Sequence, residues 1–290
     1  MRIIEKLRTG APSFSFEFFP PKDDIGFWDL YKTIESLRPL SPTFVSVTYG
    51  AGGTTRRKTI DLVGRIKSDI GVEPLAHLTC VGADRIEIAS VLDELKGRGV
   101  CNVLALRGDP PQGESSFRPV EGGFAHADQL VRFIRSRGDG LCVAAACYPE
   151  KHPEASDEAT DLDHLKRKVD EGVDFLITQL FFDNDHFRRF RERAERTGVR
   201  VPMVAGVMPI LSVSQVKKFT RMCGASIPSA LLRRIESVED DAEAVRHIGM
   251  YHTTRQCLDL LHDGVAGIHF YTLNRSTATR AIYQLIRTGI

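Results

Sequence analysis

Short β-branched or aromatic runs recur along this chain, each followed by a stretch with helical spacing of its apolar residues, and that alternation is the mark of repeated βα units and a parallel sheet. The runs are Phe14 to Phe19, Phe44 to Thr48, Pro74 to Thr79, Asn102 to Leu106, Leu141 to Ala146, Phe175 to Leu180, Val201 to Val207 and Gly267 to Tyr271. Between the first two, Phe27, Leu30, Tyr31, Ile34 and Leu37 form one apolar stripe after Asp23 and Asp24, which can cap it, and Pro39 stops it. Ile88, Val91, Leu92 and Leu95 line a face that ends at Gly97 and Gly99, and Leu162, Leu165 and Val169 do the same before Gly172. Phe187 and Phe190 repeat the pattern before Gly198. The interval from Met208 to Ala266 is too long for one crossover helix, so further helices are expected over Ser229 to Glu236 and Asp240 to His262.

Eight βα units can close into a barrel or lie open as a doubly wound sheet. An open sheet that binds nucleotides carries a glycine-rich fingerprint at its first turn. Here the first run ends in Phe18-Phe19-Pro20-Pro21, and neither G-x-G-x-x-G nor G-x-x-x-x-G-K-[ST] occurs at a strand-to-helix junction. The expectation is therefore an α/β fold, a (β/α)8 barrel with extra helices between strands seven and eight. At 290 residues, with 42% hydrophobic and 27% charged side chains, the chain can fill such a core unaided. No Gly/Ser linker or low-complexity tract divides it, so residues 1–290 are read as one catalytic domain.

Lysine plus arginine (39) nearly balances aspartate plus glutamate (38), which provides no global field to hold nucleic acid or an anionic membrane. Met1 to Gly10 carries Arg2, Glu5, Lys6 and Arg8 and does not read as a secretory signal, while the most apolar run, Leu141 to Cys147, is too short to span a bilayer. These features point to the cytoplasm. Cys80, Cys101, Cys142, Cys147, Cys223 and Cys257 form no C-x-x-C pair and lack histidines at ligand spacing, so reduced, packed thiols and no metal are expected.

In a barrel of this kind the active site lies at the carboxyl ends of the strands. Glu17, inside Phe14-Ser15-Phe16-Glu17-Phe18-Phe19, is a carboxylate among aromatic residues; desolvation should raise its pKa and suit it to general acid work, with a structural salt bridge as the alternative. Val47-Thr48-Tyr49-Gly50-Ala51-Gly52-Gly53-Thr54-Thr55 is a turn rich in backbone N–H groups that a ligand can approach, or only a turn. His77 is a packing residue or a catalyst. Asp109, in Arg107-Gly108-Asp109-Pro110-Pro111, is a second carboxylate or part of an Asp-Pro turn. Gln179 offers both a donor and an acceptor to the edge of an amide-like heterocycle. Asp161 and Lys168 share a helix face, which with Lys166 and Arg167 is a solvated surface or a phosphate partner. Tyr271 could stack, and Arg275 could fork onto a carboxylate or simply begin the last helix. Taken alone, these residues describe a buried acid, a second carboxylate and several aromatic or amide groups around one mouth, and they reveal no flavin.

Taken together and in order, the strand ends resemble the 5,10-methylenetetrahydrofolate reductase family of the bacterial, single-domain type. The matching segments are Phe16-Glu17-Phe18-Phe19-Pro20-Pro21, Val45-Ser46-Val47-Thr48-Tyr49-Gly50, His77-Leu78-Thr79-Cys80, Leu106-Arg107-Gly108-Asp109, Tyr148-Pro149 with His152-Pro153-Glu154, Leu165-Lys166-Arg167-Lys168-Val169-Asp170 and His269-Phe270-Tyr271-Thr272-Leu273-Asn274-Arg275. The resemblance implies a barrel with FAD held noncovalently at the strand ends, reduced by NADH or NADPH and reoxidised in ping-pong fashion by 5,10-methylenetetrahydrofolate, giving 5-methyltetrahydrofolate for methionine synthesis. It implies that Glu17 is the general acid and that Asp109 tunes flavin and pterin. By the same resemblance Gln179, Arg275 and Tyr271 meet the substrate, and Thr48, His77, Arg107, Gly108, Asp109, Tyr148, His152, Asp161, Arg167 and Lys168 hold FAD. A homo-oligomer is also implied.

Three positions depart from the pattern. His126 stands where a tyrosine is expected over the cofactor, His164 replaces a commoner asparagine, and Val213 falls in a loop where an aromatic often meets the substrate. Two other readings remain: a flavin-free lyase or transferase using Glu17 and Asp109 as an acid–base pair, and a barrel that binds folate or flavin without turnover.

Overall fold

In a computed structural model of the chain, strand β1 (Ser13–Phe18) pairs in parallel with both β2 (Phe44–Val47) and β8 (Gly267–Tyr271), and this double partnership closes the sheet. The structure describes residues 1–21, 23–48, 56–110, 113, 114 and 116–289. Between β2 and β8 run β3 (Pro74–Thr79), β4 (Asn102–Leu106), β5 (Cys142–Cys147), β6 (Phe175–Thr178) and β7 (Met203–Val207), every neighbouring pair parallel. The chain is therefore a (β/α)8 barrel. The expected bounds of β3, β4 and β8 hold to the residue. β7 starts two residues later than expected, where Pro202, which has no N–H to give a ladder, still accepts from the Leu176 amide.

Helices α2 (Asp24–Leu37), α3 (Arg56–Arg65), α4 (Arg85–Gly97), α5 (Ala127–Ser136), α6 (Glu158–Asp170) and α7 (Asn184–Arg196) follow the first six strands. Asp23 caps α2 by accepting the Gly26 amide at 2.8 Å, and Asp84 and Asp157 cap α4 and α6 in the same way. Their apolar stripes, with the outward faces of the strands, make the main core, in which Leu30, Ile34, Leu62, Ile88, Leu92 and Leu130 are buried.

The barrel interior is a separate cluster of Phe44, Leu75, Leu104, Ala144, Phe175, Ile177 and Val204. Its amino-end opening is stopped by α1 (Ile3–Leu7), whose Ile3, Ile4 and Leu7 are buried in that cluster and whose Ile3 amide donates to Asn102 Oδ1 at 2.8 Å. The charged and apolar N-terminal segment is thus a plug.

After β7 come α8 (Val213–Cys223), α9 (Ser229–Glu236) and α10 (Ala242–His262), and α11 (Ser276–Gly289) follows β8. A third apolar cluster, with Leu180, Phe182, Met208, Ile210, Val213, Val216, Leu231, Ile235 and Val245, packs α8, α9 and α10 over the exits of β6 and β7. This corrects the reading of Val213 as a loop residue facing substrate: it is the first residue of α8 and is 2% exposed. No helix of the described residues is long and apolar enough to cross a membrane.

Candidate active site

Alternation along a strand puts Ser15 and Glu17 on the same, inward face of β1. The register then sets Ser15 beside His269 of β8 and Glu17 beside Ser46 of β2. The result is a buried polar layer above the apolar interior. Glu17 Oε2 accepts from Ser46 Oγ at 3.3 Å and lies 3.4 Å from His269 Nε2 and 3.4 Å from His77 Nε2. Ser15 Oγ is 2.7 Å from His269 Nδ1, and the imidazole stacks on Phe44. His77 Nε2, although close to the carboxylate, is not aligned with it and has no hydrogen-bond partner among the described residues.

The expected rise in the Glu17 pKa is overturned here. Burial pushes it up, as the aromatic neighbours promised, but the His269 hydrogen bond, the His77 and His269 charges and the Ser46 hydroxyl together leave it below the usual carboxylate value. Burial also drives His77 down to about 4, so this ring is neutral at pH 7.

Tyr271 does not turn its hydroxyl toward a ligand. It spans β7 and donates to the Thr178 carbonyl of β6 at 2.6 Å, while Thr178 Oγ1 accepts the Gly206 amide at 2.9 Å. The crossing depends on Gly206: a Cβ there would lie 2.2 Å from the Thr178 oxygen and 2.7 Å from the Tyr271 ring. Gln179 follows directly. Its Oε1 accepts the Leu180 amide at 2.9 Å, leaving the side-chain NH2 without a partner among the described residues.

Beside the mouth, between the exits of β4 and β5, lies a pocket of about 360 Å³. It gathers Arg107, Tyr148, His152, Asp161, Arg167 and Lys168, all six named from sequence as cofactor residues, with His126 and His164 on the same wall. The Arg107 guanidinium forks onto Glu154, with Nη2 to Oε1 at 2.7 Å, and lies over the Phe117 ring. Asp161 accepts the His152 amide at 3.0 Å, and the Tyr148 ring meets the His152 ring edge-on at 4.7 Å. Lys168 Nζ donates to the Ala146 carbonyl at 2.6 Å, and its burial lowers its pKa. Arg167 is exposed and has no ion-pair partner among the described residues.

The remaining sequence candidates line the strand exits outside this pocket. Thr48 donates its amide to the Phe18 carbonyl at 2.9 Å. Gly108 has φ +88°, where a Cβ would strike Val81 at 2.5 Å. Asp109 and Arg275 are exposed. The glycine-rich turn of residues 49–55 lies outside the described residues. Sequence reasoning missed Ser15, Ser46 and His269; the signal available was three polar side chains inside otherwise apolar runs that the barrel register brings to one layer. It also missed Thr272 and Asn274, which grip the β1 exit.

The methylenetetrahydrofolate reductase family matches residues 2–287. Methylenetetrahydrofolate reductase (NADH) 1 of Arabidopsis thaliana is 41% identical over 94% of this chain and 49% of its own length, and the chain spans about half the length of the curated plant relatives it matches. The 5,10-methylenetetrahydrofolate reductase of Escherichia coli is 37% identical over 97% of this chain and 93% of its own. Among solved structures, a Clostridium thermocellum protein that binds two copies of 5-methyl-5,6,7,8-tetrahydrofolic acid superposes with a TM-score of 0.63 over 98% of this chain and 97% of that one; at 12% identity the likeness is one of fold. With a family match that runs almost from end to end, the chain belongs to the methylenetetrahydrofolate reductase family.

Proposed function

We propose that this chain reduces 5,10-methylenetetrahydrofolate to 5-methyltetrahydrofolate with electrons from NADH or NADPH, using FAD, in the cytoplasm and as a homo-oligomer. The observation that carries the reading is a buried carboxyl at the carboxyl-end mouth of the barrel, next to a pocket walled by cationic and aromatic side chains. Two features fit an anionic, acceptor-rich cofactor: the Nε2 of buried His77 and the guanidinium of Arg167, neither of which has a partner among the described residues. Arg167 and Lys168 would meet phosphate, and Tyr148 and His152 would give a ring wall. Thr48, His77, Arg107, Gly108, Asp109 and Asp161 would complete the hold. When bound, FAD would take hydride from the nicotinamide and pass it to the one-carbon unit in alternating turns.

The chain's own part is proton handling. With Glu17 ionised, the Ser15 hydroxyl donates to His269 Nδ1 and the Nε2–H faces the carboxylate. With Glu17 protonated, the same atoms can reverse: the Glu17 hydroxyl donates to Nε2, Nδ1–H donates to Ser15, and Ser15 donates to the Ile268 carbonyl at 3.4 Å. The network therefore satisfies both charge states, so Glu17 can give up a proton to the folate nitrogen without stranding a buried polar group. The free NH2 of Gln179 would reach the pterin edge and Arg275 the carboxylate tail, with the Tyr271 ring as a wall.

An absorbance spectrum of the purified chain tests the reading. Flavin bands that bleach on anaerobic NADH and return with 5,10-methylenetetrahydrofolate are the expected result. A chain that stays colourless with added FAD would overturn it and favour the flavin-free lyase.

A further inference from the structure

The backbone ladder between β1 and β8 ends at Glu17 and Tyr271, yet the two exits stay joined for two more residues through side chains. Thr272 Oγ1 donates to the Glu17 carbonyl at 2.5 Å and accepts the Asn274 amide at 3.2 Å. The Asn274 side chain then pairs with Phe19 as a peptide group would: Oδ1 accepts the Phe19 N–H at 2.8 Å and Nδ2 donates to the Phe19 carbonyl at 2.9 Å. To do this Asn274 sits at φ +60°, after Leu273 at φ +51°, in the left-handed region that asparagine tolerates better than most residues. Arg275, whose amide donates to the Thr272 carbonyl at 2.9 Å, is held by the same turn.

We propose that Asn274 is a positioning residue that fixes the span between the Glu17 carboxyl and the Arg275 guanidinium, so that a ligand gripped by its anionic tail presents its reacting end to the acid. This deepens the reductase reading and rests on it. Phe19 is 40% exposed at that exit, and nothing else among the described residues holds its backbone in both directions. Glu17 itself stays in the sheet, its carbonyl tied to Thr272, so losing the clamp releases the Phe19 backbone and the turn that carries Arg275, and with them the span to the acid. A misplacement of about 1 Å in a reacting pair can cost on the order of 100-fold in rate.

Asn274→Gly is the incisive variant, because glycine keeps the left-handed turn while both side-chain hydrogen bonds go. Asn274→Asp keeps the acceptor for the Phe19 amide and sets a carboxylate against the Phe19 carbonyl. The expected result for Asn274→Gly is a fall on the order of 100-fold in reoxidation of the reduced flavin by 5,10-methylenetetrahydrofolate. Its affinity for 5-methyltetrahydrofolate should weaken in an equilibrium titration, while its flavin content and rate of reduction by NADH stay as in the parent. Asn274→Asp should fall between the two. Equal losses in both half-reactions, or no loss in either, would overturn the positioning role. A parent chain that is reduced by NADH but never reoxidised by the folate would overturn the reductase reading itself and the proposal with it.

Discussion

Glu17 is pulled in opposite directions: burial favours its neutral form, while His269, His77 and Ser46 favour the carboxylate and prevail in the ligand-free chain. A ligand that covers the mouth adds to the first pull, so the acid is made ready by binding. Glu17→Gln keeps the size of the side chain and removes the transferable proton. It should slow the folate half-reaction by at least about 100-fold while leaving reduction by NADH intact; single-turnover stopped-flow on each half-reaction measures this, and unchanged folate reoxidation would remove Glu17 from the acid role. His77 carries a second consequence. In the fold it binds a proton only near pH 4, whereas unfolded it does so near 6.5, so between those values the unfolded chain holds more protons. The stability from keeping His77 neutral is complete above about pH 6.5 and is lost as pH falls toward 4, by roughly 3 kcal/mol. His152 and His252, also lowered by burial, act in the same sense. Urea midpoints of the flavin-free chain should therefore drop between pH 7.5 and 5, and His77→Gln should flatten the drop; an equally steep loss in that variant would assign it to other groups.

At the scale of elements, the tie between β8 and β6 passes over β7 only because position 206 has no side chain. Gly206→Ala should push Tyr271 off the Thr178 carbonyl, destabilise the chain by about 1–3 kcal/mol and weaken folate binding through Gln179, the next residue. Chemical denaturation and a 5-methyltetrahydrofolate titration read the two effects, and a variant matching the parent in both would mean that the crossing does not set the site. The strands themselves were legible because apolar runs and turn residues are local signals, and β3, β4 and β8 agree to the residue. The buried layer of Ser15, Ser46 and His269 was less so. Each is an ordinary residue in its own strand, and only barrel closure, which makes β1 the neighbour of β8, converts them into one network. The tie made by the Tyr271 hydroxyl was hidden for the same reason, since a group committed across two strands is invisible along one. Val213 was misread because no helix was expected between β7 and Ser229, whereas α8 starts there and buries it. The six pocket residues were found through the family resemblance rather than through their spacing, which for Asp161 and Lys168 fits any solvated helix equally well.

For the molecule as a whole, a formal net charge of +1 leaves no long-range field to draw in an anionic cofactor. Attraction must be built locally, and the charges around the pocket show how. Arg107, Arg167 and Lys168 face Asp128, Glu154 and Asp161, so the wall is nearly balanced, and Arg107 already spends its fork on Glu154. Lys168 is tied to the Ala146 carbonyl, which fixes its ammonium but leaves its charge uncompensated by a direct ion pair among the described residues. Arg167 is therefore the cation on this wall with both its charge and its donors open to a phosphate among the described residues. Replacing it by glutamine should weaken FAD binding by about tenfold, the worth of one charge-assisted hydrogen bond. Because the lost contact is electrostatic and partly exposed, the difference between parent and variant should shrink as salt rises and the Debye length falls from about 10 Å toward 3 Å. Flavin titrations of both chains at low and high ionic strength measure this. Parallel salt dependences with equal affinities would show that the phosphate is held by backbone and Lys168 alone, and the charge balance of the wall would then have no part in choosing the cofactor.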